Sequence, residues 1–156
     1  MRVHILDADA NRFQNLYFTR EEDWNRLEGL DGSPLGDEWS PVVVQISPEH
    51  RDRPPSDFPN FQGVASACVF SARAVEALGD LLEGRGELLP LEADGSKYFL
   101  FNITRLTDAL DEEATEFRVF KSSGRVMKVK RYAFDSDRLA SETIFKLAQL
   151  LNCTAT

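Results

Sequence analysis

The sequence predicts an α+β fold in a single domain spanning residues 1–156, with a mostly antiparallel sheet and a few short helices. Short strand-sized apolar runs follow one another along the chain, and turn-forming residues separate them. Strands do not alternate regularly with helices, as they would around a parallel α/β sheet. The length is also that of one ordinary domain.

The first third of the chain predicts strands, a short helix and a long loop. Two apolar runs have the length and composition of strands: Val3–Leu6 and Val42–Ile46. Thr19 and Glu22 have the spacing of a capping box, so we expect Thr19 to cap a helix that carries Trp24 and Leu27. Residues 47–59 contain four prolines and several charged side chains, a composition that predicts an exposed loop.

A helix in the middle of the chain has the clearest pattern. The apolar run Val64–Phe70 predicts a buried strand, and Ser71 follows it as the N-cap of a helix over residues 72–82. Four apolar residues recur at helical spacing on one face of this helix: Val75, Leu78, Leu81 and Leu82. Gly84 and Gly86 come next and are expected to end the helix.

Extended segments and tight turns fill the rest of the chain. They are strands at Leu88–Leu91 and Tyr98–Ile103 around a turn at Asp94–Ser96, a β-hairpin of Phe117–Lys121 and Arg125–Phe134, and a final strand at Thr143–Leu147. A glycine lies in each of the two turns, as is usual where a chain reverses direction. This part of the sequence therefore predicts an antiparallel arrangement.

The charge of the chain is acidic and unevenly distributed. There are 26 acidic side chains against 18 basic ones, which gives a net charge of −8 and a pI near 4.8. Residues 1–116 hold 23 acids and 10 bases, a sum of −13, whereas residues 117–156 hold 3 acids and 8 bases, a sum of +5. Repulsion from phosphates argues against general nucleic-acid binding, and the acidic part suits a basic partner.

The basic residues of the predicted hairpin 117–134 leave two interpretations open. Six of them lie there: Arg118, Lys121, Arg125, Lys128, Lys130 and Arg131. One interpretation is a small regulatory domain that binds a ligand or a nucleic acid through this hairpin. Simple alternation, however, mixes basic and apolar residues on both faces, with Lys128 beside Val126 and Arg131 beside Val129. We therefore favour the interpretation in which the charges protect an exposed strand pair from association.

The sequence predicts no enzymatic activity and no catalytic, metal or cofactor site. The two histidines have no neighbours that resemble a catalytic triad. Cys68 lies in an apolar run, where a cysteine is more often a small core residue than a nucleophile. Asp7 and Asp9 open a segment like a calcium loop, but its sixth position holds Arg12 instead of the required glycine.

Targeting signals and cysteine usage predict a cytoplasmic protein without a membrane span. The first apolar run is too short for a secretory signal, and no run approaches the roughly 18–20 residues that span a bilayer. Two cysteines without a spacing pattern indicate reduced thiols. We therefore interpret the glycosylation sequons at Asn102 and Asn152 as chance matches.

From Ser56 onward, the order of the motifs resembles a known protein family. The motifs are Asp57-Phe58-Pro59, Val69 to Val75, Leu81-Leu82, Gly86 to Leu91, Tyr98 to Thr104, Ala109-Leu110-Asp111 and Ile144 to Leu147. In this order they are similar to the Imm11 immunity proteins of bacterial polymorphic toxin systems. The similarity covers about 90 residues, so residues 56–150 form a family-like core and residues 1–55 a loosely matched N-terminal part.

The resemblance implies a protein that binds and neutralises a cognate toxin domain inside the producing cell. It implies stoichiometric occlusion without catalysis, and a toxin encoded by the upstream gene. In the shared motifs, Ser71 would cap a helix, Asn102 and Thr104 would form hydrogen bonds at a strand end, and Phe145 would lie in the core. The family pattern continues with another helix and a final Gly-containing strand, whereas this sequence stops at Thr156. Two interpretations stay open: a short member of the family, or last elements that are absent or supplied differently, and they decide whether the toxin-facing surface is the usual one.

Acidic residues beside an aromatic residue or a turn are the candidate toxin interface. They are Asp37, Glu38, Trp39, Asp111, Glu112, Glu113 and Glu116. Runs of acids in a turn are usually solvated surface and rarely catalytic pairs. Such a surface would attract a basic toxin, because complementary fields accelerate association.

Overall fold

The computed structural model describes residues 2–64 and 67–151 of the chain. Its fold is α+β, as the sequence predicts, with a five-stranded sheet and two two-stranded sheets in this part. The strands are β1 (Leu16–Phe18), β2 (Val42–Ile46), β3 (Cys68–Ser71), β4 (Gly86–Ala93), β5 (Ser96–Ile103), β6 (Leu106–Thr107), β7 (Glu116–Val119), β8 (Val126–Arg131) and β9 (Lys146–Leu147). The helices are α1 (Asp23–Glu28) and α2 (Ala72–Leu82), and 3₁₀ turns lie at Gly36–Glu38, Pro48–His50 and Ala148–Leu150.

The main sheet has the strand order β1-β2-β4-β5-β3. Its β2–β4 pairing is parallel, and its other three pairings are antiparallel. The sheet is therefore mixed, and the prediction of a mostly antiparallel sheet is confirmed. The longest pairing joins β4 to β5, from Gly86 opposite Ile103 to Ala93 opposite Ser96. Gly95 closes the turn between them with φ of +71°, a conformation that glycine adopts without a Cβ clash.

Two apolar clusters cover the two faces of this sheet. Alternation along β5 directs Tyr98 and Leu100 to one face, and Phe101 and Ile103 to the other. On the first face, residues of all five strands form one apolar cluster, which Leu27 of α1 joins. Helix α2 covers the second face, where its Leu82 is buried. The sheet is therefore the layer on which the rest of the described chain is arranged.

Helix α2 has the predicted bounds and the predicted cap. The Ser71 hydroxyl accepts a hydrogen bond from the backbone N–H of Ala74 at 3.1 Å, which satisfies one of the free donors of the first turn. Ala74 and Leu82 are buried and Leu78 is half-buried. Leu81, predicted on the same face, is 48% exposed.

Two predicted strands differ from the structure. Residues 3–6 form no strand, and Val3, Ile5 and Leu6 are 37%, 73% and 49% exposed. A strand forms only where it can pair with a neighbouring strand. In the described part, the free edge of β2 is taken by β1 and not by residues 3–6. The strand predicted from Val64 begins at Cys68, with residues 65–66 outside the described part.

The predicted capping box at Thr19 is wrong. Helix α1 begins at Asp23 with Glu22 as its N-cap, and the Glu22 side chain makes no capping hydrogen bond. The backbone N–H of Thr19 donates to a carbonyl of β2, which extends the β1–β2 pairing past the position that a cap would need. The buried Asp23 carboxylate stabilises the first turn instead, since it accepts from Arg20 at 3.1 Å and from Arg26 at 2.8 Å.

A buried carboxylate ties the C-terminal part of the chain to the main sheet. The Glu142 side chain is 2% exposed, and it accepts from Arg85 at 2.8 Å and from the Nε of Arg105 at 2.9 Å. The hydrogen bond from Arg105 is the foremost cause that lowers the pKa of Glu142. Nearby, the predicted final strand is reduced to β9, which pairs in parallel with β6.

The hairpin of β7 and β8 is confirmed, but its faces differ from the prediction. Two register shifts place extra residues in β8, so that Phe117 lies opposite Val129 and Val119 opposite Val126. Opposite residues of an antiparallel pair project from the same face. The predicted mixing of Lys128 with Val126 on one face is therefore wrong, because a bulge moves the next side chain to the other face.

The close approach of β4 and β5 gives a test of the fold with two glycines. A Cβ at Gly86 would lie 2.3 Å from the backbone oxygen of Asn102, so we expect Gly86→Ala to lower the free energy of unfolding by about 1–3 kcal/mol. A Cβ at Gly79, in the exposed middle of α2, meets nothing within 4 Å. Gly79→Ala should raise stability by about 0.5–1 kcal/mol. Urea unfolding measures both, and equal effects of the two substitutions would contradict the register.

Candidate functional site

The first candidate group lies on the 3₁₀ turn Gly36–Glu38, between α1 and β2. Asp37 and Glu38 are exposed, and Trp39 is half-buried against the first apolar cluster. The sequence prediction that these acids are surface residues agrees with their exposure. The surrounding contacts decide whether this turn is a rigid element or a loose one.

The carboxylate of Glu87 holds the start of this turn. It accepts hydrogen bonds from the backbone N–H of Leu35 at 2.8 Å and of Gly36 at 2.9 Å. The side-chain amide of Asn102 donates to the same carboxylate at 3.1 Å and to the carbonyl of Ser33 at 2.9 Å. Two residues of the main sheet therefore hold the segment that leads into the turn. They bind its backbone at Ser33, Leu35 and Gly36.

The charge state of Glu87 reflects these contacts. Burial is the largest single influence and acts to raise its pKa. The hydrogen bonds from Leu35, Gly36 and Asn102 act together in the opposite direction, and the resulting pKa lies below the ordinary value of 4.5. The carboxylate is therefore ionised at neutral pH, when its hydrogen bonds to the turn are strongest.

The indole of Trp39 holds the end of the turn. Its Nε1 donates to the carbonyl of Pro90 in β4 at 2.9 Å. The guanidinium of Arg26 lies 5.0 Å from the centre of the indole ring and also donates to the carbonyl of Ser40. Arg26 is itself held by the buried Asp23. Trp39 is therefore an anchor of the acidic turn, with part of its surface left open.

The segment that leads into the turn is held by the C-terminal part of the chain. The Lys146 ammonium in β9 donates to the carbonyl of Leu30 at 2.9 Å. Burial lowers the pKa of Lys146 from its ordinary value. The acidic turn is thus connected to β4, to β5 and to β9, all of which are far from it in the sequence.

The second candidate group forms a tight turn before β7. The backbone N–H of Asp111 donates to Ala133 at 3.0 Å, and the Asp111 carboxylate accepts from the N–H of Ala114 at 3.0 Å. The buried Thr115 hydroxyl exchanges hydrogen bonds with the backbone of Ala133. These contacts leave three acids of the turn exposed to solvent: Asp111, Glu112 and Glu113.

Glu116 differs from the other acids of the second group. Its carboxylate lies 2.9 Å from the Arg131 guanidinium in the opposite strand of the hairpin. Both side chains are more than half exposed, so the pair contributes little to stability, but it offsets the charge of Glu116 locally. Within the described residues, no ion pair offsets the charges of Asp37 and Glu38, whereas Arg131 offsets that of Glu116.

Sequence reasoning missed Glu87 and the full role of Asn102. The expectation that Gly86 ends a helix gives Glu87 no role, although Glu87 stands two residues before Leu89 and so shares its face. An acid on the otherwise apolar face of a strand was the available signal. Its partners lie 51 and 52 residues away, and no local pattern identifies them.

Cys68 has the environment of a core thiol. It is half-buried beside Phe58 and Val75, and burial raises the pKa of its thiol to about 11. The thiolate, which is the reactive form, is therefore scarce at neutral pH. Within residues 2–64 and 67–151, no group of three or more His, Cys, Asp or Glu side chains is arranged to hold a metal ion. Cys153 lies outside the described residues.

Comparison with protein-family models gives a match over nearly the whole chain. A family model described as the immunity protein family Imm11 matches residues 4–154. A search of curated proteins gives no match. Across the described ranges, the helices are too short and too polar to cross a membrane.

The hold of Glu87 on the acidic turn gives a pH-dependent prediction. Glu87→Gln removes the charge that strengthens three hydrogen bonds, and we expect a loss of about 1–2 kcal/mol in the free energy of unfolding at pH 7, allowing for partial exposure. Because the folded pKa is lowered, this stabilisation is complete above pH 4.5 and is lost as the pH falls through the folded value.

The measurement is chemical unfolding of both proteins from pH 7 to pH 3. The difference between them should be largest at pH 7 and should shrink below pH 4.5. Glu92→Gln, an exposed position on the same strand, is the matched control and should change stability by less than about 0.5 kcal/mol. A difference that is constant with pH would contradict the role given to the charge of Glu87.

Proposed function

The chain belongs to the Imm11 family of immunity proteins, and from this premise we propose that it neutralises a cognate toxin by one-to-one occlusion. Family membership supports an immunity function in general. The finer proposal is that the chain binds the toxin domain in the cytoplasm of the producing cell and covers a surface that the toxin needs. Occlusion requires no turnover, so we propose no catalytic residue.

Preorganisation of the acidic turn is the feature that favours it as a contact surface. Asp37 and Glu38 project from a segment that Glu87, Asn102 and Trp39 hold at both ends. A rigid surface loses little conformational freedom on binding, and more of the contact energy is then available as affinity. We therefore propose Asp37, Glu38 and the open part of Trp39 as one toxin contact.

A basic toxin surface is the complement that the charges favour. The chain carries a net charge of −8, and residues 1–116 carry most of the acids. Opposite fields accelerate encounter and orient the partners before contact. Asp111, Glu112 and Glu113 are proposed as a second acidic contact, and Glu116 as a weaker one because of its pairing with Arg131.

Co-expression is the experiment that tests the proposed function. We expect the neighbouring upstream gene to encode a secreted protein with a C-terminal toxin domain, and that domain should arrest growth when produced alone. Production of this chain should restore growth, and the two should co-purify in a 1:1 ratio. Growth arrest that persists with the chain present at excess would contradict the proposal.

Charge reversal tests the first contact surface. The double substitution Asp37→Lys with Glu38→Lys should slow association with the toxin by about tenfold at low salt and weaken the dependence of the rate on salt, because rim charges act mainly on association. The matched control is Glu76→Lys with Asp80→Lys on the exposed face of α2, which makes the same change in net charge.

Stopped-flow association measured across salt concentrations separates the two variants. The turn variant should fall well below the control, which should change only as far as the net charge requires. Equal rates for the two variants would show that the turn has no special place in the encounter.

A further inference from the structure

The hairpin β7–β8 lies outside both apolar clusters of the main sheet. None of the residues 116–132 belongs to either cluster, and the hairpin forms its own two-stranded sheet. An isolated pair of strands is marginally stable in water, since it buries too little apolar surface. A second surface that covers part of the hairpin would therefore stabilise it.

The two register shifts sort the hairpin into an apolar face and a charged face. Phe117 opposite Val129 and Val119 opposite Val126 share one face, because Phe117 and Val119 are two residues apart on β7. The other face carries the two remaining pairs of the register. They are Arg118 opposite Lys128 and Glu116 opposite Arg131. The shifts thus produce a segregation that regular pairing would not give.

The apolar face is only partly covered. Val119 is 47% exposed, and Phe117, Val126 and Val129 are half-buried. Phe120, just beyond the end of β7, is 42% exposed, and alternation places it on the opposite face of the hairpin. Large exposed apolar residues gathered in one place are typical of interaction surfaces.

Basic side chains lie near this apolar face, at the tip of the hairpin and on its charged face. Within the described part of the chain, five of the six hairpin bases form no ion pair: Arg118, Lys121, Arg125, Lys128 and Lys130. Arg131 is the exception, through Glu116. The hairpin therefore carries a local excess of positive charge on a chain that is negative overall.

We propose that the hairpin β7–β8 is a second toxin-binding element, and that it docks on an apolar strip of the toxin bordered by carboxylates. This inference rests on the proposed function. The apolar face of Phe117, Val119, Val126 and Val129 would form the dry centre of the contact, and the five unpaired bases would meet the carboxylates of the border. Such an arrangement of apolar centre and polar rim is the usual anatomy of a protein interface.

The side chains of the apolar face favour a protein over a nucleic acid as the occupant. Three of its four residues are valines, and aliphatic side chains offer no ring on which bases can stack. A nucleic acid would contact the charged face through phosphates and leave the apolar face in water. A protein strip with an acidic border would contact both the apolar face and the basic side chains.

Two surfaces of opposite charge also bear on partner selection. The acidic turn at Asp37 and Glu38 would require a basic patch, and the hairpin would require an acidic one. A stable interface buries about 800 Å² on each partner, more than one 3₁₀ turn supplies. A related toxin that carried only one of these two patches would bring like charges together at the other contact. That repulsion would weaken its binding to this chain.

The experiment uses the full chain and its upstream-encoded toxin domain. Val119→Thr with Val126→Thr keeps the β-branched shape and removes the apolar character, and we expect the toxin Kd to rise at least tenfold. Val3→Thr, at another exposed valine, is the matched control and should leave the Kd unchanged. Lys128→Glu should slow association at low salt, whereas Lys97→Glu, an exposed lysine of β5, should not.

Hydrogen exchange of the unmodified chain provides a second readout that needs no variant. Amides of residues 116–131 should exchange more slowly in the toxin complex than in the free chain. If the complex forms but these amides are unaffected and the valine variants bind like the parent, the hairpin inference is overturned while the proposed function stands. If the unmodified chain forms no complex, both are overturned.

Two further outcomes would assign the hairpin to a different occupant and so overturn the inference. One is binding of a short oligonucleotide with a salt dependence that Lys128→Glu reduces. The other is a concentration-dependent dimer in sedimentation equilibrium that the valine variant abolishes. The expected result is a monomer without oligonucleotide binding at physiological salt.

Discussion

The contact between β4 and β5 at Gly86, Glu87 and Asn102 is the constraint on which the acidic turn depends. Gly86 has no Cβ, so the two backbones approach where any other residue would meet the carbonyl of Asn102. The next pair in the register, Glu87 opposite Asn102, then shares a hydrogen bond and collects the backbone of the preceding loop. A partly buried, ionised carboxylate is stable there because three donors replace water.

The two proposed contact surfaces have opposite character. The acidic turn is rigid and is tied to the sheet at both ends, whereas the hairpin has its own small sheet and an open apolar face. The buried Glu142, held by Arg85 and Arg105, fixes the C-terminal part against the main sheet, and Lys146 joins that part to the acidic turn. In the proposed occlusion, charge would orient the toxin and apolar contact would supply affinity.

The parts of the fold that the sequence predicts are those with local causes. Ser71 caps α2 because its hydroxyl reaches an amide three residues away, and the β4–β5 turn follows from Gly95. The failures have nonlocal causes. Residues 3–6 have the composition of a strand but pair with no described edge, and the capping box at Thr19 lost to pairing with β2.

The features of the candidate site also separate into those with local causes, which the sequence predicts, and those with nonlocal causes, which it does not. Exposure of Asp37, Glu38 and the acids from Asp111 to Glu113 follows from their composition, because charge runs face water. The support of the first group by Glu87 depends on contacts more than 50 residues apart, and the segregated faces of the hairpin depend on bulges. Alternation along a strand cannot reveal a bulge, since the pattern assumes one residue per pleat.

A titration of toxin activity with the purified chain tests the central claim of neutralisation by occlusion. The account predicts that activity falls linearly and ends at one equivalent of the chain, with the same end point after short and long incubation. Loss of activity at far less than one equivalent, progressing with time, would indicate turnover and contradict occlusion. So would activity that persists at several equivalents.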